Sequence, residues 1–382
     1  MLTKVKRMFN QFIEQETSSS IILLAFSTIA MILANSPFAL QYEALSKSIL
    51  HWVNDGLMAI FFLVVGMEIK REFVLGELKS FKKAILPFGA AIGGMLVPAT
   101  IYLMFNHTST GISGWAIPMA TDIAFGLGAL NLLGSDKVPR QLVVFLTALA
   151  IIDDLGAILV IAMFYTTQIN LIALSIALLF FLTLMLINRL QINSLSIYLL
   201  LGFFLWFFLL KSGVHATIAG VLLGMTIPTT SPIKNKVSML NRLEHILIPW
   251  TSFVIMPIFA LVNAGIHIEL NQIKNIITNP ICIGIVTGLF LGKQLGIFGA
   301  SSMMVKFKIA SLPSSTSARQ LYGASILGGI GFTMSMFIAT LAFKDHGLQE
   351  IAKISIILAS ILSAFAGLVV LGLPSRHKKP SC

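Results

Sequence analysis

The sequence predicts an all-α polytopic membrane protein: a single transmembrane domain over residues 1–382, about 12 spans in all, each long enough to cross a bilayer. Three observations predict it. First, 57% of the residues are hydrophobic and 11% charged, where soluble domains carry roughly 25% charge. Second, apolar runs of bilayer length recur from end to end. Third, the basic residues collect in alternate loops, as membrane orientation requires.

The apolar segments fall at about 18–35, 54–69, 84–105, 116–134, 141–165, 170–187, 195–210, 213–227, 246–265, 280–304, 320–342 and 351–373. Placing both termini in the cytoplasm gathers Lys4, Lys6, Arg7, Lys70, Arg71, Lys79, Lys82, Lys83, Lys137, Arg140 and Arg189 on that side. Lys234, Lys236, Arg242, Lys306, Lys308, Arg319, Arg376, Lys378 and Lys379 join them, making 20 of the 26 basic residues. Lys47, Lys211, Lys274, Lys344 and Lys353 remain outside, and Lys293 lies within a span. The net charge of +11 is therefore spent on orientation and does not form the solvated basic face that nucleic acid requires. No loop has the length of a soluble domain.

Two cysteines, Cys282 and Cys382, build neither a disulfide framework nor a metal site, and the seven histidines form no HExxH pair. The polar N-terminus precedes the apolar run Ile21–Ala34, and Ala34-Asn35-Ser36 loosely resembles a cleavage site. An uncleaved first span is the reading adopted.

Spans 3–5 and 10–12 read as two related triplets of opposite orientation, inverted-topology repeats. Span 4 carries Gly114, Pro118, Thr121, Asp122, Gly126 and Gly128; span 11 carries Gly323, Gly328, Gly329 and Gly331. Such residues weaken helical backbone, which a membrane tolerates only where it is buried or lines a cavity. They mark two interrupted crossing helices with a site at the crossing. The competing explanation is close helix packing through small residues.

An ionisable group at bilayer depth costs at least ~2.5–3.5 kcal/mol, so each is a functional candidate. Five qualify: Asp122, Asp153, Asp154, His215 and Lys293. Consecutive helical side chains point ~100° apart, so Asp153 and Asp154 take separate roles. One can hold a cation while the other pairs with Lys293. A hard cation such as Na+ or Li+ prefers oxygen ligands, which carboxylates and the Thr121 hydroxyl supply. At a crossing of broken helices, an acid such as Asp122 suits N-terminal ends and a base such as Lys293 suits C-terminal ends. His215 follows Gly213 near the outer face and reads as a wetted structural histidine before a proton relay.

Several motifs resemble the NhaA-type sodium/proton antiporters. They are Ala120-Thr121-Asp122-Ile123-Ala124-Phe125, Ala148-Leu149-Ala150-Ile151-Ile152-Asp153-Asp154-Leu155-Gly156-Ala157 and Lys211-Ser212-Gly213-Val214-His215-Ala216-Thr217. Val65-Gly66-Met67-Glu68-Ile69-Lys70-Arg71-Glu72 and Gly328-Gly329-Ile330-Gly331-Phe332-Thr333-Met334-Ser335 belong with them. The resemblance runs from about Ile21 to the end of span 12. It implies twelve spans with the fourth and eleventh unwound and crossing, a geometry known for that family. It implies electrogenic exchange of two protons for one sodium in a bacterial inner membrane, serving sodium and pH homeostasis. Asp154 would be the principal cation ligand and Asp153 the second essential acid. Lys293, in Leu291-Gly292-Lys293-Gln294, would partner Asp153, while Asp122 and Thr121 support the crossing.

A carrier of this kind is not an enzyme and needs no cofactor. Its partners are Na+, Li+, H+ and membrane lipid, and the metal held by Asp153 and Asp154 is the transported Na+. Glu68, Arg71, Glu72, Glu244 and His245 are candidate pH sensors if spans 2 and 9 meet at the cytoplasmic mouth; the plainer reading is interfacial anchoring. Two departures from the family matter. The connection Pro37 to His51 is short and partly helical in pattern where some members carry a dimer-forming β-hairpin, so the homodimer is expected to be weak. Ile248 stands where some members have a second histidine. Two rival functions remain at this point: an intramembrane aspartyl protease using Asp122 with Asp153 or Asp154, and a cation channel. The first lacks a GxGD sequence and gives Lys293 no role; the second favours rings of ligands in repeated subunits.

Overall fold

A computed structural model describes residues 16–107, 110–134, 138–166, 169–230, 237–267 and 273–373, and its regular structure is helical throughout. Lys4, Lys6, Arg7, Lys137, Lys234, Lys236, Arg376, Lys378, Lys379 and Cys382 lie outside the described residues. In chain order the helices are α1 (Glu16–Ala34), α2 (Ala39–Val74), α3 (Phe81–Phe105), α4 (Ile123–Leu132), α5 (Arg140–Phe164), α6 (Leu171–Arg189) and α7 (Leu195–Ser212). There follow α8 (Thr217–Thr226), α9 (Met239–Asn263), α10 (Ile273–Ile277), α11 (Pro280–Lys306), α12 (Ala318–Leu327), α13 (Phe332–Ala342) and α14 (His346–Gly372). A 3-10 segment, Ile112–Met119, precedes α4.

Eight of these, α2, α3, α5, α6, α7, α9, α11 and α14, are long and apolar enough to cross a membrane. The pair α12–α13, bent by 44° at its break, makes a ninth. The protein is therefore a polytopic helical membrane protein. Boundaries depart from the sequence reading mainly at span 2. Its helix begins at Ala39 and runs 36 residues, roughly 54 Å at the helical rise, well beyond the bilayer core. The connection Pro37 to His51 is helix from Ala39 onward, with no strand.

Local chemistry explains where helices start and stop. The Asn170 side chain accepts from the N–H groups of Ile172 and Ala173 at 3.1 Å each and so opens α6. Ser317 and Gln320 form a reciprocal capping box at α12. Gly213, at φ +82°, ends α7 in the left-handed conformation that glycine adopts without strain. The Lys70 ammonium donates to Ile227 O at 2.6 Å, placing a cation at the C-terminal end of α8.

Buried apolar side chains form two clusters that meet along α2. Met58, Phe62, Val65 and Ile69, a stripe at helical spacing, face a large cluster that includes parts of α3, α5, α11, α13 and α14. Leu63, Val64 and Met67 face a smaller cluster from α6, α7, α8 and α9. Close approach depends on missing side chains: a Cβ on Gly66 would sit 2.6 Å from Val221 O, and one on Gly224 2.6 Å from Leu63 O. That α2–α8 contact supports the small-residue explanation for part of the glycine content. One end of the bundle carries Lys82, Lys83 and Arg140 around one crevice. The other end carries Lys47, His267, His346 and Lys353 around another.

Candidate ion-binding site

Two breaks in helical backbone meet inside the larger cluster. The first follows Ile112–Met119, where Ala120 and Asp122 adopt extended backbone before α4 begins. The second, Gly328 to Gly331, separates α12 from α13. Each break leaves backbone groups without helical partners, and a membrane offers no water to satisfy them. Here they satisfy one another. The N–H of Asp122 donates to Ile330 O at 2.7 Å, and the Ser335 hydroxyl donates to Ile117 O at 2.9 Å.

Asp122 is the hub of the crossing. Its Oδ1 accepts from the N–H of Phe125 at 3.2 Å, capping α4. Its Oδ2 accepts from the N–H of Thr333 at 3.0 Å and from the Thr333 hydroxyl in a short bond. One carboxylate thus answers the positive N-terminal ends of both α4 and α13. Thr333 was overlooked as a partner in the sequence. The available signal was a hydroxyl residue two places after Gly331, at the start of an apolar run.

Asp153 and Asp154 lie near the middle of α5, whose span is the most buried of the eight, and their exposures are 1% and 2%. Asp153 Oδ2 accepts from Lys293 Nζ at 2.6 Å, in an ion pair buried on both sides. Lys293 itself sits between two π-helical turns of α11, Gly288–Gly292 and Gln294–Phe298, a distortion frequent at functional sites. The Thr121 hydroxyl lies 2.8 Å from Asp153 Oδ2 and 2.9 Å from Gly328 O. Its single proton can serve one acceptor fully at a time. The C-terminal end of α12 is therefore met by Thr121, with Lys293 one bond further away. At this centre, Asp153 Oδ1 and Asp154 Oδ1 are buried with no hydrogen-bond partner among the described residues. No group of three or more His, Cys, Asp or Glu side chains among those residues could hold a metal.

A second cluster lies away from this centre, where α2 packs on α9. Arg71 donates to Glu244 Oε2 at 2.9 Å and approaches Glu72 Oε1 at 3.8 Å. Glu72 Oε2 accepts from the N–H of Glu77 at 3.2 Å. Glu244 is 3% exposed, and its Oε1 has no partner among the described residues. Glu68 is half-buried one turn earlier in α2, and His245 is exposed. His215 is half-buried, its Nε2 2.9 Å from Tyr165 O.

A family model described as Na+/H+ antiporter 1 matches residues 10–371. A protein of Clostridium beijerinckii named Na(+)/H(+) antiporter NhaA 1 is 56% identical over 382 residues, covering 96% of this chain and 95% of the relative. The NhaA antiporter of Aeromonas hydrophila is 47% identical, covering 97% of this chain and 98% of its own length. That of Caulobacter vibrioides is 46% identical, covering 99% and 94%.

Proposed function

This chain belongs to the Na+/H+ antiporter 1 family, the family of the NhaA proteins, and from that membership we propose that it exports Na+ or Li+ in exchange for H+. The membrane is the bacterial inner membrane, with both termini cytoplasmic. Its relatives are named as antiporters, not enzymes. The observation that carries the reading is the pair of buried oxygens Asp153 Oδ1 and Asp154 Oδ1, which lack a donor among the described residues. A buried acceptor left unsatisfied costs about 1–3 kcal/mol, more when charged. A proton or a cation relieves that cost, and the two compete for the same atoms.

Asp154 is the principal ligand, since Asp153 is already engaged by Lys293 and Thr121. Entry of Na+ draws Asp153 away from Lys293. In this reading Lys293 supplies one of the two exchanged protons. With the proton displaced from Asp154, two protons leave for each Na+ bound. One net charge moves per turnover, and the membrane potential contributes ~2.3 kcal/mol per 100 mV. Alternating access follows from movement of the smaller cluster against the larger along α2, with the site at the crossing.

The twelve spans of this reading are the eight long helices, the α12–α13 pair, α1, α8 and the interrupted stretch Ile112–Met119 with α4. The inverted repeats pair α3, the first break and α5 with α11, the second break and α14. Glu68, Arg71, Glu72, Glu244 and His245 set the pH response from the cytoplasmic mouth. The protease alternative is weakened by Asp122, whose two oxygens already hold the N-terminal ends of α4 and α13.

The test is Asp154→Asn in proteoliposomes. Na+-driven proton movement and calorimetric Na+ binding should both disappear while the protein still inserts and purifies. Near-normal exchange at saturating Na+ would remove Asp154 from the ligand set.

A further inference from the structure

A groove of about 600 Å³ opens on the side of the bundle between α1 and α14, with α4 behind it. Its floor includes Phe125, Ala129, Ile330 and Phe332, residues of the two interrupted helices. The Phe125 and Phe332 rings meet edge to face with centroids 4.8 Å apart. Its rim residues are exposed apolar side chains at span depth: Ile21 and Leu24 at 56%, Ile361 at 61% and Phe365 at 70%. The groove is thus continuous with the surface that faces lipid.

Among the described residues no charged side chain lines it. Its hydroxyls are already engaged with backbone: Ser20 with Ala124 O, Ser27 with Leu23 O, Thr28 with Leu24 O, and Ser360 with the N–H of Phe332. An occupant with polar groups would strand them there, at a cost of several kcal/mol each in hydrocarbon. Residues 1–15 carry Lys4, Lys6, Arg7 and Glu14, which an uncharged groove cannot partner. A flexible hydrocarbon chain meets every requirement, and the surrounding bilayer supplies it.

We propose that this groove binds one acyl chain of a bilayer lipid, laid against the Phe125–Phe332 pair. The chain braces the crossing from outside. The N–H of Phe125 caps onto Asp122, and Phe332 directly precedes Thr333, the other partner of that carboxylate. The inference rests on the membrane-spanning fold and not on the ion exchanged.

The experiment uses the full chain in phosphatidylethanolamine/phosphatidylglycerol vesicles containing a phosphatidylcholine with a diazirine on one acyl chain. After irradiation, adducts are mapped by mass spectrometry. Ordinary annular lipid marks exposed positions such as Leu179 and Phe203. The groove predicts further adducts on its floor, at Phe125, Ala129 or Phe332, of which the last two are under 10% exposed. Ala364→Trp fills the groove from the α14 wall and should abolish the floor adducts while sparing Leu179 and Phe203. Where that variant fails to insert, Ala129→Leu fills the groove from the floor and should give the same loss. Adducts confined to outward-facing residues would overturn the proposal, as would floor adducts that survive both substitutions. Floor residues cross-linked to a second copy, or to residues 1–15, would replace the lipid with that occupant. None of these readouts measures transport, so failure here leaves the exchange reading standing.

Discussion

At the scale of single residues, the site is a short chain of contacts from Lys293 through Asp153 and Thr121 to Gly328 O. Lys293 is the one fully buried base among the described residues. Removing one partner of a buried ion pair leaves an uncompensated charge, at roughly 3–5 kcal/mol in soluble proteins. Lys293→Ala should therefore lower thermal stability clearly, and if any exchange survives it should approach one proton per Na+. An unchanged melting temperature with full voltage response would make the lysine dispensable to both. These residues were readable beforehand because a charge inside an apolar run has few innocent explanations. Which aspartate Lys293 would choose was not readable from spacing, since neighbours ~100° apart both remain within reach of a long side chain. The link from Thr333 to Asp122 joins residues 211 positions apart, and nothing local in either segment specifies such a bond.

At the scale of elements, glycine and proline at mid-span left helix breaks and close helix packing equally open, and the form of the two breaks was not legible. The first becomes a 3-10 segment and an extended turn; the second is a turn between two α-helices. Hydrogen bonds between the breaks select those shapes, and they exist only after the chain has folded. The π-helical turns flanking Lys293 were likewise invisible, because a helix accommodates one extra residue per turn without a compositional mark. The α2–α9 contact places Arg71 and Glu244 together. Glu244→Gln removes the titrating group but retains much of the shape. The activity–pH profile should shift while maximal exchange is retained. A profile that superimposes on the parent would return these residues to interfacial anchoring.

At the scale of the whole molecule, hydropathy located the eight long helices and the bent α12–α13 pair, whereas helix lengths were harder to foresee. Polar residues such as Glu43 and Lys47, which form an exposed ion pair at 2.6 Å, hid the fact that α2 begins at Ala39. That connection is helical and forms no hairpin, as its pattern suggested. Any dimer should accordingly be weak or lipid-dependent, and light scattering in detergent should find mainly monomer. A detergent-resistant dimer that dissociates when residues 37–51 are altered would contradict this. The proposed competition of protons and Na+ at Asp153 and Asp154, with Lys293 as the proposed second proton carrier, would make a single global demand: two protons per sodium. The most direct measurement is the reversal condition in proteoliposomes, where known Na+ and H+ gradients are opposed by a clamped potassium potential. Net flux should vanish where the proton gradient, counted twice, and the membrane potential, counted once, balance the Na+ gradient. A null point that ignores the potential, or Na+ flux without obligatory proton counterflow, would contradict it.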